Sequence, residues 1–454
     1  KLKTLDELMA EVDKSSDELV ELLQELVRMP TVNTGTMPTG NETELCQFLK
    51  RKFDAEGIES SVIESTPSRG NFISRLNGSD SGKAKLMLMS HTDTVPIGDE
   101  SKWKHPPFSA TLDNGRIYGR GADDCKSVVA SEAMTMILLK RLGVPLKKSL
   151  IFAAGCDEET GSRYGFQWLA KNHWHKIESE FAINEAGGDP IKTPKGQCFT
   201  VALGEKGRLD TKINLKGKSC HASVPWEGDN ALVKMAYAIQ RINDYKAERD
   251  LSAAVFRELP RLFDIDKSEI TPDNIDNLIE RLSKDYDSIA HLLRGLSRMT
   301  ITPTMASGGV KSNVIPDSFT LTCDVRVLPG QNIEYVKREL NTILKDIEGY
   351  DLSVSGTENP GASPSSDEFL NSIKSALSNV MGHDVETMQV LTVGLTDSCA
   401  VRQFGTTVYD FAPAHPESDS IGNNVHGDNE SFSVKDLIFR TKVLMGLAYN
   451  LLVN

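Results

Sequence analysis

No apolar run in the sequence approaches the roughly 20 residues that a membrane-spanning helix needs, so no membrane partner is expected. Clustered positive charge is missing as well. The net charge is −13, the wrong sign for a nucleic-acid or anionic-lipid surface, which must neutralise phosphate. Seven cysteines (Cys46, Cys125, Cys156, Cys198, Cys220, Cys323 and Cys399) include no Cys-x-x-Cys pair. Their odd number and wide spacing argue against a zinc ribbon, a dithiol redox motif and a disulfide scaffold. Reduced thiols are expected, mostly as small buried hydrophobes, with Cys125 and Cys156 beside candidate ligands. The opening Lys1-Leu2-Lys3-Thr4-Leu5-Asp6-Glu7 lacks the apolar core of a signal peptide, and a cytoplasmic protein is expected. No internal repeat is found, and low complexity is confined to the polar turn from Pro360 to Ser366.

What remains is a globular composition, 39% hydrophobic and 25% charged, in 454 residues, enough for two domains. Leu19, Leu22, Leu23, Leu26 and Val27 repeat at helical spacing and stop at Pro30. A second helix is predicted over 42–56, closed by Gly57 and followed by a strand at 60–63, the alternation of an α/β fold. Between 204 and 327 the pattern changes to strands flanking a long, charged helical stretch from Ala231 to Arg298. We assign 204–327 to an inserted domain, and 1–203 with 328–454 to a discontinuous domain around it.

Three predicted strands of the discontinuous domain end in imidazole or carboxylate. The run 85–90 leads into His91-Thr92-Asp93, 149–156 into Asp157-Glu158-Glu159, and 181–184 into Glu185. Ligands of open α/β sheets bind at such carboxyl ends. His91 and Asp93 fall on one side of an extended segment, where the carboxylate can orient the imidazole, although a surface pair is the plainer reading. Gly119-Arg120-Gly121-Ala122-Asp123-Asp124-Cys125-Lys126 follows a strand-like Arg116-Ile117-Tyr118. Its glycines permit a tight turn, and either aspartate can hold an ion or cap the next helix. The Asp157-Glu158-Glu159 charges repel unless cations or solvent offset them, and an acidic helix start explains the triplet equally well. His426 sits in a polar loop over 423–430; a lone loop histidine usually carries no function. Together, two histidines and several carboxylates at the strand ends and loops of one sheet supply the nitrogen and oxygen donors that suit zinc.

Further segments join this set: Ser90-His91-Thr92-Asp93-Thr94-Val95-Pro96, Tyr118 to Lys126, Asp157-Glu158-Glu159, Glu185, Gly217-Lys218-Ser219-Cys220-His221-Ala222-Ser223, Asn313-Val314-Ile315-Pro316-Asp317, Asp324-Val325-Arg326, and His426 four residues before Glu430. In this order, across most of the chain, they resemble the dinuclear zinc peptidases that include acetylornithine deacetylase, succinyl-diaminopimelate desuccinylase, aminoacylase and bacterial glutamate carboxypeptidase.

The resemblance implies an α/β fold: a mixed sheet flanked by helices, as in zinc exopeptidases, with an inserted α+β lid and dimerisation domain. It implies two Zn2+ per chain, replaceable by Co2+ or Mn2+. Asp124, chosen over Asp123 by its distance to Lys126, would bridge them, with His91 and Glu185 on one ion and Glu159 and His426 on the other. Glu158 is then the general base and acid, and Asp93 the support of His91. His221 would polarise the scissile carbonyl, commonly from the partner subunit of a homodimer. Asn313 and Arg326 would hold a substrate carboxylate, against the simpler readings of a turn asparagine and a strand-end salt bridge. The implied reaction is hydrolysis of a small peptide or N-acyl amino acid beside a free carboxylate, by a carboxypeptidase, dipeptidase or deacylase. Two departures stand out: Thr160 where the family has glycine after Asp-Glu-Glu, and Glu185-Ala186-Gly187 where it has Glu-Pro. Glu185, rather than aspartate, tilts the expectation toward deacylases and carboxypeptidases. The competing readings are a metal-binding relative that has lost catalysis and a two-metal phosphoesterase.

Overall fold

Apolar β-rich segments build one large sheet. In the computed structural model, which describes residues 2–453, its strands run in the order Glu59–Thr66, Arg69–Leu76, Leu150–Gly155, Ala84–His91, Ser179–Asn184, Thr407–Asp410, Gly196–Glu205 and Glu386–Thr392, with Pro190–Thr193 paired to Gly196–Glu205. The four in the middle, from Leu150–Gly155 to Thr407–Asp410, are parallel. Their neighbours Arg69–Leu76 and Gly196–Glu205 pair antiparallel, so the sheet is mixed. The predicted mixed α/β sheet is therefore present.

Central parallel strands are buried on both faces, which explains their near-continuous apolar runs. Helix Lys126–Arg141 packs on Ala84–His91 and is covered in turn by Ser16–Arg28 and Val434–Leu452. Every residue from Lys126 to Leu139 is buried, as expected of a helix enclosed on all sides. The amphipathic N-terminal stretch forms two helices, Leu5–Lys14 and Ser16–Arg28, the second burying Leu19, Leu22, Leu23, Leu26 and Val27. No helix among the described residues is long and apolar enough to cross a membrane.

The chain divides into two units, Lys1–Gly204 with Ala362–Val390 and Thr396–Asn454, and Glu205–Gly361 with Leu391–Leu395. The second is built on an antiparallel sheet in the order Thr300–Gly308, Ser318–Val327, Gly207–Lys216, Tyr350–Thr357. Burial alternates along Gly207–Lys216, the signature of a sheet covered on one face. The long helical stretch expected from Ala231 to Arg298 is broken into Ala231–Asp244, Ala254–Leu262, Ile275–Ser283 and Asp287–Leu296. The expected return to the first unit at 328 is corrected to 362. Residues 328–361 read as resumed α/β alternation, but Tyr350–Thr357 pairs with Gly207–Lys216, and helix Ile333–Ile343 buries Val336 and Leu340 in this unit's core.

Candidate active site

His91 ends its strand, Asp157-Glu158-Glu159 follows the strand beside it, and Glu185 follows the strand on its other side. Three adjacent carboxyl ends therefore deliver the three predicted groups to one place. Asp124 comes from the loop before helix Lys126–Arg141, whose N-cap is Cys125 with no capping side chain, so neither aspartate serves as the cap. His426 comes from the loop before Ser431–Ser433, a short strand paired with Arg116–Tyr118. Buried Glu430 joins these two loops: Oε2 accepts the backbone N–H groups of Asp123 and Asp124 at 3.0 and 3.1 Å, and Oε1 accepts Arg120 Nη1 at 2.9 Å.

The imidazole of His91 is fully buried, with Nδ1 facing the Asp93 carbonyl oxygen at 3.0 Å and Asp93 Oδ1 at 3.3 Å. Both are acceptors, so Nδ1 carries a proton, and Nε2 is the nitrogen turned inward. There it faces three carboxylate oxygens: Asp124 Oδ1 at 3.0 Å, Glu185 Oε1 at 3.3 Å and Glu158 Oε2 at 3.6 Å. Burial opposes charging of this ring, yet the carboxylates, Glu185 foremost, outweigh it and hold His91 well above the usual histidine range. Asp124 divides its carboxylate, Oδ1 toward His91 and Oδ2 toward His426 Nε2 at 2.9 Å; Glu159 Oε1 lies 3.3 Å from the same His426 nitrogen. Asp123 instead receives Asn423 Nδ2 at 2.9 Å.

So many acids in one pocket repel. Burial, then the charge of Glu185, pushes Glu158 well above the ordinary carboxylate range; burial pushes Glu185 up to about 7 and Asp397 up to about 8. Three donor groups emerge, His91, Asp124, Cys125 and Glu185 on one side, Asp124, Glu159 and His426 on the other, and His91, Glu158 and Glu159 overlapping both, each with its ligand atoms within 4.8 Å of one another. Glu185 Oε1 is buried and makes no hydrogen bond among the described residues. An inward-facing His91 Nε2 that would yield its proton to a cation, an unbonded Glu185 oxygen and a divided Asp124 carboxylate are what divalent cations would satisfy. The donor set fits nitrogen- and oxygen-loving metals.

Several supporting residues were not foreseen. Asn33 Nδ2 donates to Asp93 Oδ2 at 2.9 Å, Asp157 Oδ1 at 3.0 Å and Thr160 Oγ1 at 3.1 Å, tying two strand ends together. Asp93 also accepts the backbone N–H groups of Glu158 and Glu159 at 3.0 and 3.2 Å. Burial alone would raise Asp93, but His91, Asn33 and these bonds outweigh it and keep the carboxyl below its usual range. Buried Arg69 forks onto Glu42 and reaches Asp157 Oδ1 at 3.0 Å. Asp397 is buried behind the cluster, on a segment fixed by Asn184 Nδ2 bonds to Thr396 and Ser398.

The remaining predicted residues belong to the second unit. His221 and Asn313 are brought together: His221 bridges Val314, and Ala222 N–H donates to the Asn313 carbonyl at 3.0 Å. Arg326 is not with them. It lies near the far end of strand Ser318–Val327, where Asp324 holds its Nε and Nη2 at 2.6 and 3.2 Å, the strand-end salt bridge that the sequence left open.

A family model described as peptidase family M20/M25/M40 matches residues 87–450. The chain belongs to this family. It is a metal-dependent hydrolase. Among its relatives is a probable succinyl-diaminopimelate desuccinylase of Staphylococcus aureus (strain MRSA252), 27% identical over 396 residues, covering 85% of this chain and 86% of that protein. Another is the human N-fatty-acyl-amino acid synthase/hydrolase PM20D1, 27% identical over 443 residues, covering 95% and 87%. The fold is shared with an M20 family metallo-carboxypeptidase, Sso-CP2, of Sulfolobus solfataricus, at a TM-score of 0.73 and 21% identity, covering 96% of this chain and 99% of that one.

Proposed function

We propose that the chain hydrolyses a peptide or N-acyl amide bond beside a free carboxylate, using two zinc ions. The observation that carries this reading is the divided carboxylate of Asp124, one oxygen turned toward His91 and the other toward His426. Asp124 would be shared between the two ions, with His91 and Glu185 holding one and Glu159 and His426 the other, and cobalt or manganese could use the same donors. When bound, such a pair acidifies water and polarises the scissile carbonyl.

Glu158 moves the proton. Its Oε2 lies 3.6 Å from His91 Nε2, in surroundings that raise its proton affinity. It takes one proton from the attacking water as that oxygen bonds the amide carbon, and gives it to the nitrogen as the C–N bond breaks. Asp93 holds the His91 ring and the Glu158 backbone in position. His221 stabilises the developing oxyanion, and Asn313 and Arg326 grip the substrate carboxylate. Asp324 occupies the Nε edge of the Arg326 guanidinium and leaves Nη1 for that purpose.

A homodimer reconciles these last assignments. Along Ser318–Val327, at about 3.3 Å per residue, Arg326 lies roughly 25 Å from the Ser318 end, whereas Asn313 precedes that end in sequence and pairs with the His221 segment. A second copy that supplies His221 and Asn313 removes the conflict. Strand Thr300–Gly308 is an edge of its sheet, and Trp226, Tyr237 and Met305 of the same unit are 78%, 59% and 69% exposed, apolar area that a second copy would cover.

The substrate class is tested by assaying zinc-loaded protein on N-acetyl and N-succinyl amino acids and dipeptides, with their C-terminal amides as controls. Free acids should be turned over at least about tenfold faster, the loss expected when a site's carboxylate partner goes missing. Equal rates on the amides would remove the carboxylate from the proposal.

A further inference from the structure

We propose that the Cys125 sulfur is an additional ligand at the His91–Asp124–Glu185 position, making one of the two metal positions a thiolate-containing site that selects thiophilic cations such as zinc, cadmium or cobalt. The inference rests on the two-metal reading above and adds a donor to it. Cys125 Sγ lies within 4.8 Å of the ligand atoms of His91, Asp124 and Glu185, all four mutually within that distance. The side chain is fully buried.

What the thiol does otherwise is informative. Those of Cys46, Cys220 and Cys399 donate to the backbone carbonyls of Gly70, Val224 and Thr396 at 3.4, 3.6 and 3.4 Å. No backbone carbonyl accepts from Cys125 among the described residues. It occupies the N-cap position of helix Lys126–Arg141 without a side-chain capping bond, and its side chain instead faces the His91 ring, a member of the same donor group. The unbonded Oε1 of Glu185 lies in the same donor group. Cys156, the other cysteine beside an acidic motif, belongs to no donor group.

Ligation replaces the S–H bond by a sulfur–cation bond, and the proton passes to buffer. A soft thiolate raises affinity for zinc, cadmium and cobalt but adds little for manganese or magnesium, which prefer oxygen. The two positions of this enzyme would then differ in preference, the Asp124–Glu159–His426 side being the harder one.

Cobalt(II) titration tests this without an activity readout. Wild-type protein carrying two cobalt ions should show a near-ultraviolet sulfur-to-cobalt charge-transfer band, developing with one equivalent only. Cys125→Ser should still bind two cobalt ions but lose the band, with affinity for cadmium at one position reduced on the order of tenfold or more and affinity for manganese nearly unchanged. Cys156→Ser should keep the band. Two bound cobalt ions without a band in the wild type, or a band retained in Cys125→Ser, would overturn the sulfur ligand and leave the two-metal reading intact. Failure of the wild type to bind cobalt would overturn both. Should Cys125→Ser not fold, the wild-type spectrum and Cys125→Ala decide.

Discussion

Glu158, the base of the proposed mechanism, owes its raised proton affinity to its surroundings: burial and the neighbouring Glu185 disfavour its ionised form, so it takes up a proton more readily than an exposed glutamate. Replacing it with glutamine keeps shape and removes proton transfer. Glu158→Gln should bind two metal ions per chain while kcat falls roughly 10²–10⁴-fold, read by metal analysis beside steady-state kinetics. A near-normal kcat would take Glu158 out of its role. Residues of this kind were legible because they sit in short contiguous motifs at the ends of apolar runs, as His91-Thr92-Asp93 and Asp157-Glu158-Glu159 do. Asn33 was not. Its partner Asp157 lies 124 residues away, and nothing in an isolated asparagine announces a contact made only by folding.

At the scale of elements, the site depends on two strand ends kept in register by buried charge. Arg69 starts the strand Arg69–Leu76 and binds Asp157, which follows the strand paired to it, while also satisfying Glu42 from helix Glu42–Ala55. Arg69→Met would leave two buried carboxylates without their cation, and we expect a loss of about 3–5 kcal/mol in denaturant unfolding. Arg69→Lys should recover part of it, because a point charge cannot reproduce the fork. A loss below about 1 kcal/mol would mean that other groups hold the acidic loop. The strands themselves were readable from their apolar runs, but the partition of 328–361 was not. A helix followed by a strand looks the same in sequence whether it resumes one sheet or completes another, and pairing with Gly207–Lys216 is a long-range choice.

For the whole molecule, metal and pH act on the same balance. In metal-free protein, burial raises Glu185 to about 7 and Asp397 to about 8, so each binds its proton more tightly folded than unfolded. Their effect is a loss of stability as pH rises from about 4 through those values. His426, raised to about 10 by Asp124 and Glu159, adds stability below about 6.5 that is lost toward 10, in the same direction. The melting temperature in chelator should therefore fall between about pH 5 and 8. Zinc should flatten that fall and add about 2.7 kcal/mol at one hundred times its dissociation constant. A chelated protein with an unchanged melting curve would argue against cation-offset repulsion. Assembly is tested by complementation: His221→Ala and Glu158→Ala, each inactive alone, should regain up to about one quarter of wild-type activity when mixed and re-equilibrated, since random pairing makes half the dimers mixed, each with one complete site. No recovery would leave His221 acting within its own chain or not at all.

The first unit is interrupted in sequence, and this imposes an order on biosynthesis. Strand Thr407–Asp410 sits between Ser179–Asn184 and Gly196–Glu205, so a nascent chain that has emerged through residue 204 has a gap in its sheet and lacks His426. The second unit is nearly continuous and can complete its sheet about a hundred residues earlier, since domains fold as units while synthesis proceeds. A ribosome stalled before the last helix would thus carry a folded second unit beside an open, acid-lined first one. The proposed donor His426 is thus added to its partners only after the second unit's sheet has been synthesised.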